Sequence, residues 1–359
     1  MNITEIVLFP MLADLFAGNL NTNVTTQTTS GSSLSVEMKT YYDKNLIDLA
    51  EPKLVHDQFG QKRPIPQNGG KTIEFRKYSS LPKALTALTE GVTPDGQKLN
   101  VTNITATVSQ YGGYVALSDV LQLTAIDNNL MQASKLLASQ AGRTLDTITR
   151  EVLNGGTNVY YCASGVTDKA NLVGGSATAS DNNILTVDDI RRAVRKLKAM
   201  NAPTISGDYV AIIHPDVAYD LMSDPEWRYP HQYVDTDNIY SGEIGKIAGC
   251  RFVETTEAKV WKKAAKDKTT GTAVAGDGST AGWDVYSTLI LGADAYGVTE
   301  VSGGGLKMII KQLGSAGTGD PLDQRATIGW KSIKTAVRLV EEYMIRVMSV
   351  SSFNDAAAN

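Results

Sequence analysis

The sequence predicts an α+β protein, and three observations carry that prediction. Strand-like and helix-like stretches follow one another without the regular alternation of a doubly wound sheet. One segment, Asp127–Asn154, keeps apolar residues three or four apart along its whole length. Two alternating runs, Lys71–Tyr78 and Val101–Val115, are separated by a long polar stretch.

Taken in order, Met1–Phe16 carries the apolar run Ile6-Val7-Leu8-Phe9-Pro10-Met11-Leu12-Ala13 between Glu5 and Asp14. It lacks the basic start and small-residue site of a signal peptide, and it is too short to span a bilayer. The expectation is an amphipathic arm on a tether, because Asn19–Ser35 is polar and rich in Thr and Ser, with a frayed terminus as the equal alternative. Val36–Gly60 has helical period interrupted by Pro52, and Arg63–Gly70 is a turn-rich break. The runs Lys71–Tyr78 and Val101–Val115 then read as two strands of a protruding arm, with Ile104, Ala106 and Val108 on one face. A two-stranded ribbon is marginal alone, so a partner must cover it.

The helix over Asp127–Asn154 should be capped by Asp127, end at Gly155-Gly156 and run roughly 40 Å. Its apolar series is Leu130, Ala133, Leu137, Ala141, Leu145, Ile148 and Val152. Thr186 should cap a second helix through Met200, closed by Asn201 and Pro203. Asp208–His214 reads as a buried strand, and Pro215 opens a helix over Asp216–Ser223. Further strands are expected at Ile247–Glu254, Val285–Leu291, Lys307–Leu313 and Thr335–Val350, with Lys262–Gly282 as an exposed loop.

Composition narrows the chemistry. The chain has 359 residues, 42% hydrophobic and 20% charged, which supports a sizeable core and excludes wholesale disorder. A net charge of -4 gives no basic excess for tight nucleic-acid binding. With two cysteines, Cys162 and Cys250, no disulfide framework is possible. Three histidines, His56, His214 and His231, lie outside metal-ligand spacing of one another.

The local motifs fare no better as sites. Gly69-Gly70-Lys71-Thr72 imitates the end of a phosphate loop, but Ile65 stands where the motif needs glycine, and a strand follows instead of a helix. His214 with Asp216 has no nucleophile beside it. Trp227, Tyr229, His231 and Tyr233 read as a packing or interface cluster. Arg191, Arg192, Arg195, Lys196 and Lys198 read as a solvated or subunit-facing helix surface, with phosphate contact as the sharper alternative. Lys262, Lys263, Lys266 and Lys268 read as loop residues. Asp277-Gly278 lacks calcium-loop carboxylates, and Asp320-Pro321-Leu322-Asp323 is too sparse to name a metal. No catalytic, cofactor-binding or metal residue is predicted, and no cofactor.

The order of parts resembles that of tailed-bacteriophage major capsid proteins. The local wording is similar to the podovirus-type branch in three blocks. These are Leu88-Thr89-Glu90-Gly91-Val92-Thr93-Pro94-Asp95-Gly96, then Gln110-Tyr111-Gly112-Gly113-Tyr114-Val115-Ala116-Leu117-Ser118-Asp119, and Asp320-Pro321-Leu322-Asp323-Gln324-Arg325-Ala326-Thr327-Ile328-Gly329-Trp330-Lys331. The resemblance implies the lambdoid-type capsid fold: an N-terminal arm (1–70), an extended β-hairpin loop (71–114), a peripheral domain with the spine helix (115–185), an axial domain (186–305), and C-terminal strands returning to the peripheral domain (306–359). It implies a non-enzymatic shell protein that self-assembles into the hexamers and pentamers of an icosahedral virion, built in the host bacterial cytoplasm. Its implied partners are copies of itself, scaffolding, portal and decoration proteins, and packaged double-stranded DNA held weakly; no membrane is implied. Some relatives crosslink a loop lysine to a neighbour's asparagine; Lys83 and Lys98 lie in the loop, but no reacting pair is identified. The alternatives are an encapsulin-like nanocompartment shell and an enzyme with an unrecognised site near His214.

Overall fold

The computed structural model describes residues 55–66, 68–78, 81–93, 95–124, 129–175, 182–231, 243–268, 282–300, 306–315 and 320–355. The expected arm, its tether and the capping role of Asp127 lie outside those residues. In chain order the strands are β1 (Gln61–Lys62), β2 (Thr72–Tyr78), β3 (Val101–Thr107), β4 (Ser109–Ser118), β5 (Val159–Tyr161), β6 (Val173–Gly174), β7 (Tyr209–Ile213), β8 (Glu243–Ile247), β9 (Cys250–Glu254), β10 (Val260–Asp267), β11 (Trp283–Leu291), β12 (Tyr296–Glu300), β13 (Lys307–Lys311), β14 (Arg325–Arg338) and β15 (Met344–Ser349). The helices are α1 (Asp119–Thr124), α2 (Asn129–Asn154), α3 (Val187–Ala199), α4 (Pro215–Ser223) and α5 (Pro225–His231).

The chain divides into two compact units. Among the described residues, one holds 111–141 and 306–332, the other 55–110, 142–300 and 333–355.

In the larger unit the central sheet runs β5-β15-β11-β7-β9-β8, with β10 beside β11 and β6 beside β10. β7 lies between β11 and β9 and is buried along its whole length. Its side chains alternate between two cores, as a strand's period of two requires. Tyr209, Ala211 and Ile213 join the core beneath α3 and α4, with Ile190, Val194, Leu197, Val217 and Leu221. Val210 and Ile212 join the opposite core with Val55, Phe59, Leu153, Leu289 and Tyr296. This two-sided burial explains why the sequence there is an unbroken apolar run.

The smaller unit packs the first half of α2 on a sheet. Ala133, Leu137 and Ala141 meet Ile328 and Trp330, flanked by Tyr111 and Val115. β14 pairs with β13 from Lys307↔Lys331 to Lys311↔Thr327, and also with β4. Glycines permit the β4 approach: a Cβ on Gly112 would lie 2.6 Å from the Trp330 carbonyl oxygen. One on Gly329 would lie 2.9 Å from the Gly113 carbonyl oxygen.

Several expectations hold with shifted bounds. Thr186 caps α3 in a reciprocal box with Asp189, and Pro215 opens α4. Others need correction. Val101–Val115 is two strands broken at Val108, whose N–H donates to the Lys71 carbonyl at 2.9 Å and closes the ribbon. Ile247 does not start the Cys250 strand; Ala248 and Gly249, both at positive φ, turn β8 back onto β9 with Ile247 opposite Cys250. Thr335–Val350 is interrupted because the N–H groups of Leu339 and Val340 both donate to the Ala295 carbonyl, after which Glu341–Tyr343 forms a 3-10 turn. The expected loop from Lys262 is strand β10 as far as Asp267; Ala264 and Ala265 are buried with Val285, and 269–281 lies outside the described residues.

Candidate interaction surfaces

The most exposed feature of the larger unit is the β2–β3 ribbon and the loop it carries. Seven register pairs, Thr72↔Thr107 to Tyr78↔Val101, hold the ribbon. Phe75 anchors its base: it is 3% exposed, and its ring occupies the space where Gly297 has no side chain. The Arg63 guanidinium stands 5.9 Å over that ring. Lys77 Nζ reaches Glu342 at 3.3 Å, an exposed pair worth little by itself. Beyond the ribbon, residues 81–93 and 95–100 are exposed throughout, including Leu85 (86%), Leu88 (77%) and Val92 (63%). So much apolar surface facing water marks the loop as a candidate contact surface. Lys83 and Lys98 lie in this loop.

The ribbon grows from a segment pinned firmly to α2. His56 and Asp146 are both buried, and Asp57 accepts from Thr149 Oγ1 at 2.6 Å and from Lys334. Lys334 is 1% exposed and also donates to the Leu145 carbonyl at 3.0 Å. Tyr296 donates its hydroxyl to the His56 carbonyl. Of the predicted apolar series on α2, Ala133, Leu137, Ala141 and Leu145 are buried as expected, but the last turns differ. Ile148 and Val152 are only half-buried, while the polar stripe Asp146, Thr149, Arg150 and Asn154 is buried. Polar residues at helical spacing were the available signal.

The remaining candidates disperse. Gly69-Gly70-Lys71-Thr72 is a turn into β2, with Asn68 and Gly70 at positive φ. His214 caps α4, accepting from the Asp216 N–H at 3.3 Å, and its ring lies 5.1 Å from that of Tyr286. Burial holds its pKa below the ordinary value, opposed by Asp216 and assisted by Lys262, so near neutrality it is an uncharged cap. Trp227 is buried edge-on against Phe252 at 5.2 Å. The structure describes no side chain for Tyr229 or His231, and Tyr233 lies outside the described residues, as does Asp277-Gly278.

On α3 the apolar face is buried and Arg191, Arg192, Arg195 and Lys198 are exposed. Arg191 bridges to Glu226 at 2.6 Å and Arg192 to Asp188 at 2.7 Å. Lys262 is bound at 2.6 Å by the buried Asp284. Asp320 closes a turn, accepting the Arg325 N–H at 2.8 Å. Among the described residues, no group of three His, Cys, Asp or Glu side chains could hold a metal. Among them also, no helix is long and apolar enough to cross a membrane.

Comparisons with known proteins bear on the family and the fold. Residues 100–312 match the family model described as phage capsid protein. No curated protein matches the sequence. Among solved structures, the capsid of the cyanophage P-SCSP1u is similar at a TM-score of 0.61 and 15% identity, over 89% of this chain and 94% of that one. The capsid of Ralstonia phage GP4 is similar at 0.61 and 13%, over 92% and 100%. That of cyanophage Pam1 reaches 0.60 and 14%, over 93% and 99%. At such identities these likenesses establish the fold.

Proposed function

The chain belongs to the phage capsid protein family, and from that we propose that it is the major capsid protein of a tailed bacteriophage, forming hexamers and pentamers of an icosahedral shell around double-stranded DNA. It is a structural component of the virion and not an enzyme, and copies of it assemble with one another. The family match is to phage capsids, so the nanocompartment reading is not favoured.

The observation that carries the proposal is the exposed loop on its anchored ribbon. Its apolar residues need another copy to leave water, and a closed shell gives every copy an equivalent neighbour. The resemblance to tailed-phage capsid proteins carries the domain reading: 1–70 as arm, 71–114 as extended loop, 115–185 as peripheral domain, 186–305 as axial domain, 306–359 as returning strands. Assembly would take place in the host cytoplasm, where scaffolding, portal and decoration proteins are the expected further partners. The exposed cations of α3 are a candidate surface for weak contact with packaged DNA.

Electron microscopy of the purified chain tests the proposal. Closed shells, or tubes of hexamers, are expected. A monodisperse small oligomer under all assembly conditions, including with scaffolding protein, would overturn it.

A further inference from the structure

A cavity of about 550 Å³ opens in the larger unit at the C-terminal end of α2. Its lining includes Glu151, Asp168, Lys169, Lys259, Trp261 and Arg346. Trp261 is its platform: Lys169 Nζ lies 5.1 Å from the ring centroid and the Arg346 guanidinium 5.6 Å. The acids there are already engaged. Glu151 accepts from Lys259 at 3.0 Å and from Arg150 at 2.8 Å. Burial alone would raise its pKa, but those two cations hold it below the usual carboxylate range. Asp168 caps the turn that carries Lys169, accepting from the Ala170 N–H at 3.0 Å.

Arg346 is the exception. It sits on β15, and its Nε is buried with no hydrogen-bond partner. Among the described residues, nothing accepts a hydrogen bond from its guanidinium. A buried donor without an acceptor is costly, and desolvation already draws this arginine's pKa below its ordinary value. A planar fork of that kind matches a carboxylate or phosphate in two parallel bonds. The charge count separates the two. Among the residues that line the cavity, Lys169, Lys259 and Arg346 stand against Glu151 and Asp168, a formal excess of one positive charge. A single carboxylate neutralises it, whereas a phosphate dianion overshoots. The volume is too large for a free carboxylate and suits one carried on a short peptide.

We propose that the Arg346–Trp261 cavity is a receptor for a carboxylate side chain on a peptide segment of a second copy of this chain. The proposal rests on self-assembly for the source of the segment, but shells do not need the cavity filled in order to form.

The test uses the unassembled full-length chain and reads Trp261 as the fluorescence difference between the wild type and Trp261→Phe. The probe is the acetylated, amidated tetrapeptide Thr-Glu-Gly-Val, the sequence of Thr89–Val92 in the exposed loop. Saturable binding is expected, with the Thr-Gln-Gly-Val control and inorganic phosphate each at least about tenfold weaker. Arg346→Gln should abolish the response, Arg346→Lys should retain part of it, and Lys169→Gln should weaken it without unfolding the chain. Assembled shells should not respond, because a neighbour already fills the site. Equal response to the two peptides, preference for phosphate, or undiminished binding by shells would overturn the inference. Shells that form while unassembled chains ignore the peptide would sink this inference and leave the capsid assignment standing.

Discussion

His56 holds Asp146 at two points: its backbone N–H donates to Oδ1 at 2.9 Å, and its ring Nδ1 lies 2.6 Å from Oδ2. The imidazole is fully buried and the carboxylate nearly so. One contact fixes the chain and the other the side chain, so the segment leading to the ribbon is clamped to α2 by backbone and ring together.

Removing one member of such a buried pair strands the other. Asp146→Ala should therefore destabilise the larger unit by about 3–5 kcal/mol. His56→Ala should do similar damage. Thermal melting with hydrogen exchange checks this; exchange should rise first over residues 55–60. A shift under about 1 kcal/mol would mean that water replaces the partner freely.

Lys334 gives a second, separable test. It is buried between the Asp57 carboxylate and the Leu145 carbonyl. Lys334→Met should cost several kcal/mol because it leaves Asp57 uncompensated. Lys334→Met with Asp57→Asn should recover part of that loss. The double-mutant cycle should return a coupling of about 1–3 kcal/mol, and simple additivity would contradict the pair's importance.

Gly112→Ala tests the β4–β14 approach in the smaller unit. The new methyl meets a backbone oxygen, which cannot rotate away as a side chain could. The expected cost is about 1–3 kcal/mol, with exchange rising in β4 before the larger unit responds. A Gly142→Ala control should be neutral or stabilising, since nothing stands within 4 Å of its Cβ direction.

The alkaline limb of stability should be governed by buried acids. Tyr160 is pushed up to about 12, first by burial and then by its hydrogen bond to Asp189. Burial raises Tyr286, Tyr296, Cys162 and Cys250 as well. The fold therefore keeps protons that the unfolded chain releases at about pH 8.5–10. Their contribution is whole below that range and is lost as pH climbs toward about 12. Melting temperature should hold steady at neutral pH, then fall steadily on the alkaline side. Tyr160→Phe should make that fall shallower; an unchanged slope would count against the assignment.

The cations of α3 are proposed to face cargo. Arg191→Glu with Arg195→Glu should leave shell assembly intact and reduce the DNA packaged per particle. The first charge reversal also breaks the exposed Glu226 bridge, at a cost of about 1 kcal/mol or less. Loss of shells would instead place this helix at a subunit contact.

Much of the fold was legible because local rules set it. The capping box at Thr186, Pro215 opening α4 and the two-sided apolar run of β7 each answer to a few neighbouring residues. The candidate surfaces were legible by a different route. A ribbon whose loop shows Leu85 and Leu88 to water announces a missing partner even in sequence. Breaks within long strand-like runs were not legible. The Ala295 carbonyl that ends β14 is far along the chain from the residues it stops, and no window of neighbours contains it.

By itself the sequence determined the long helix α2, the capped helices α3 and α4, strand β7 and the ribbon with its long polar loop. Tertiary structure alone decided which polar residues would be buried. Asp146, Thr149 and Arg150 read as ordinary helix polarity until Asp57, Lys334 and Glu257 arrive from remote parts of the chain to meet them or their neighbours. The cavity at Arg346 has the same origin, since its walls come from α2, the Asp168 turn, β10 and β15. A charged group's burial depends on what folds over it, and that is a property of the assembled chain.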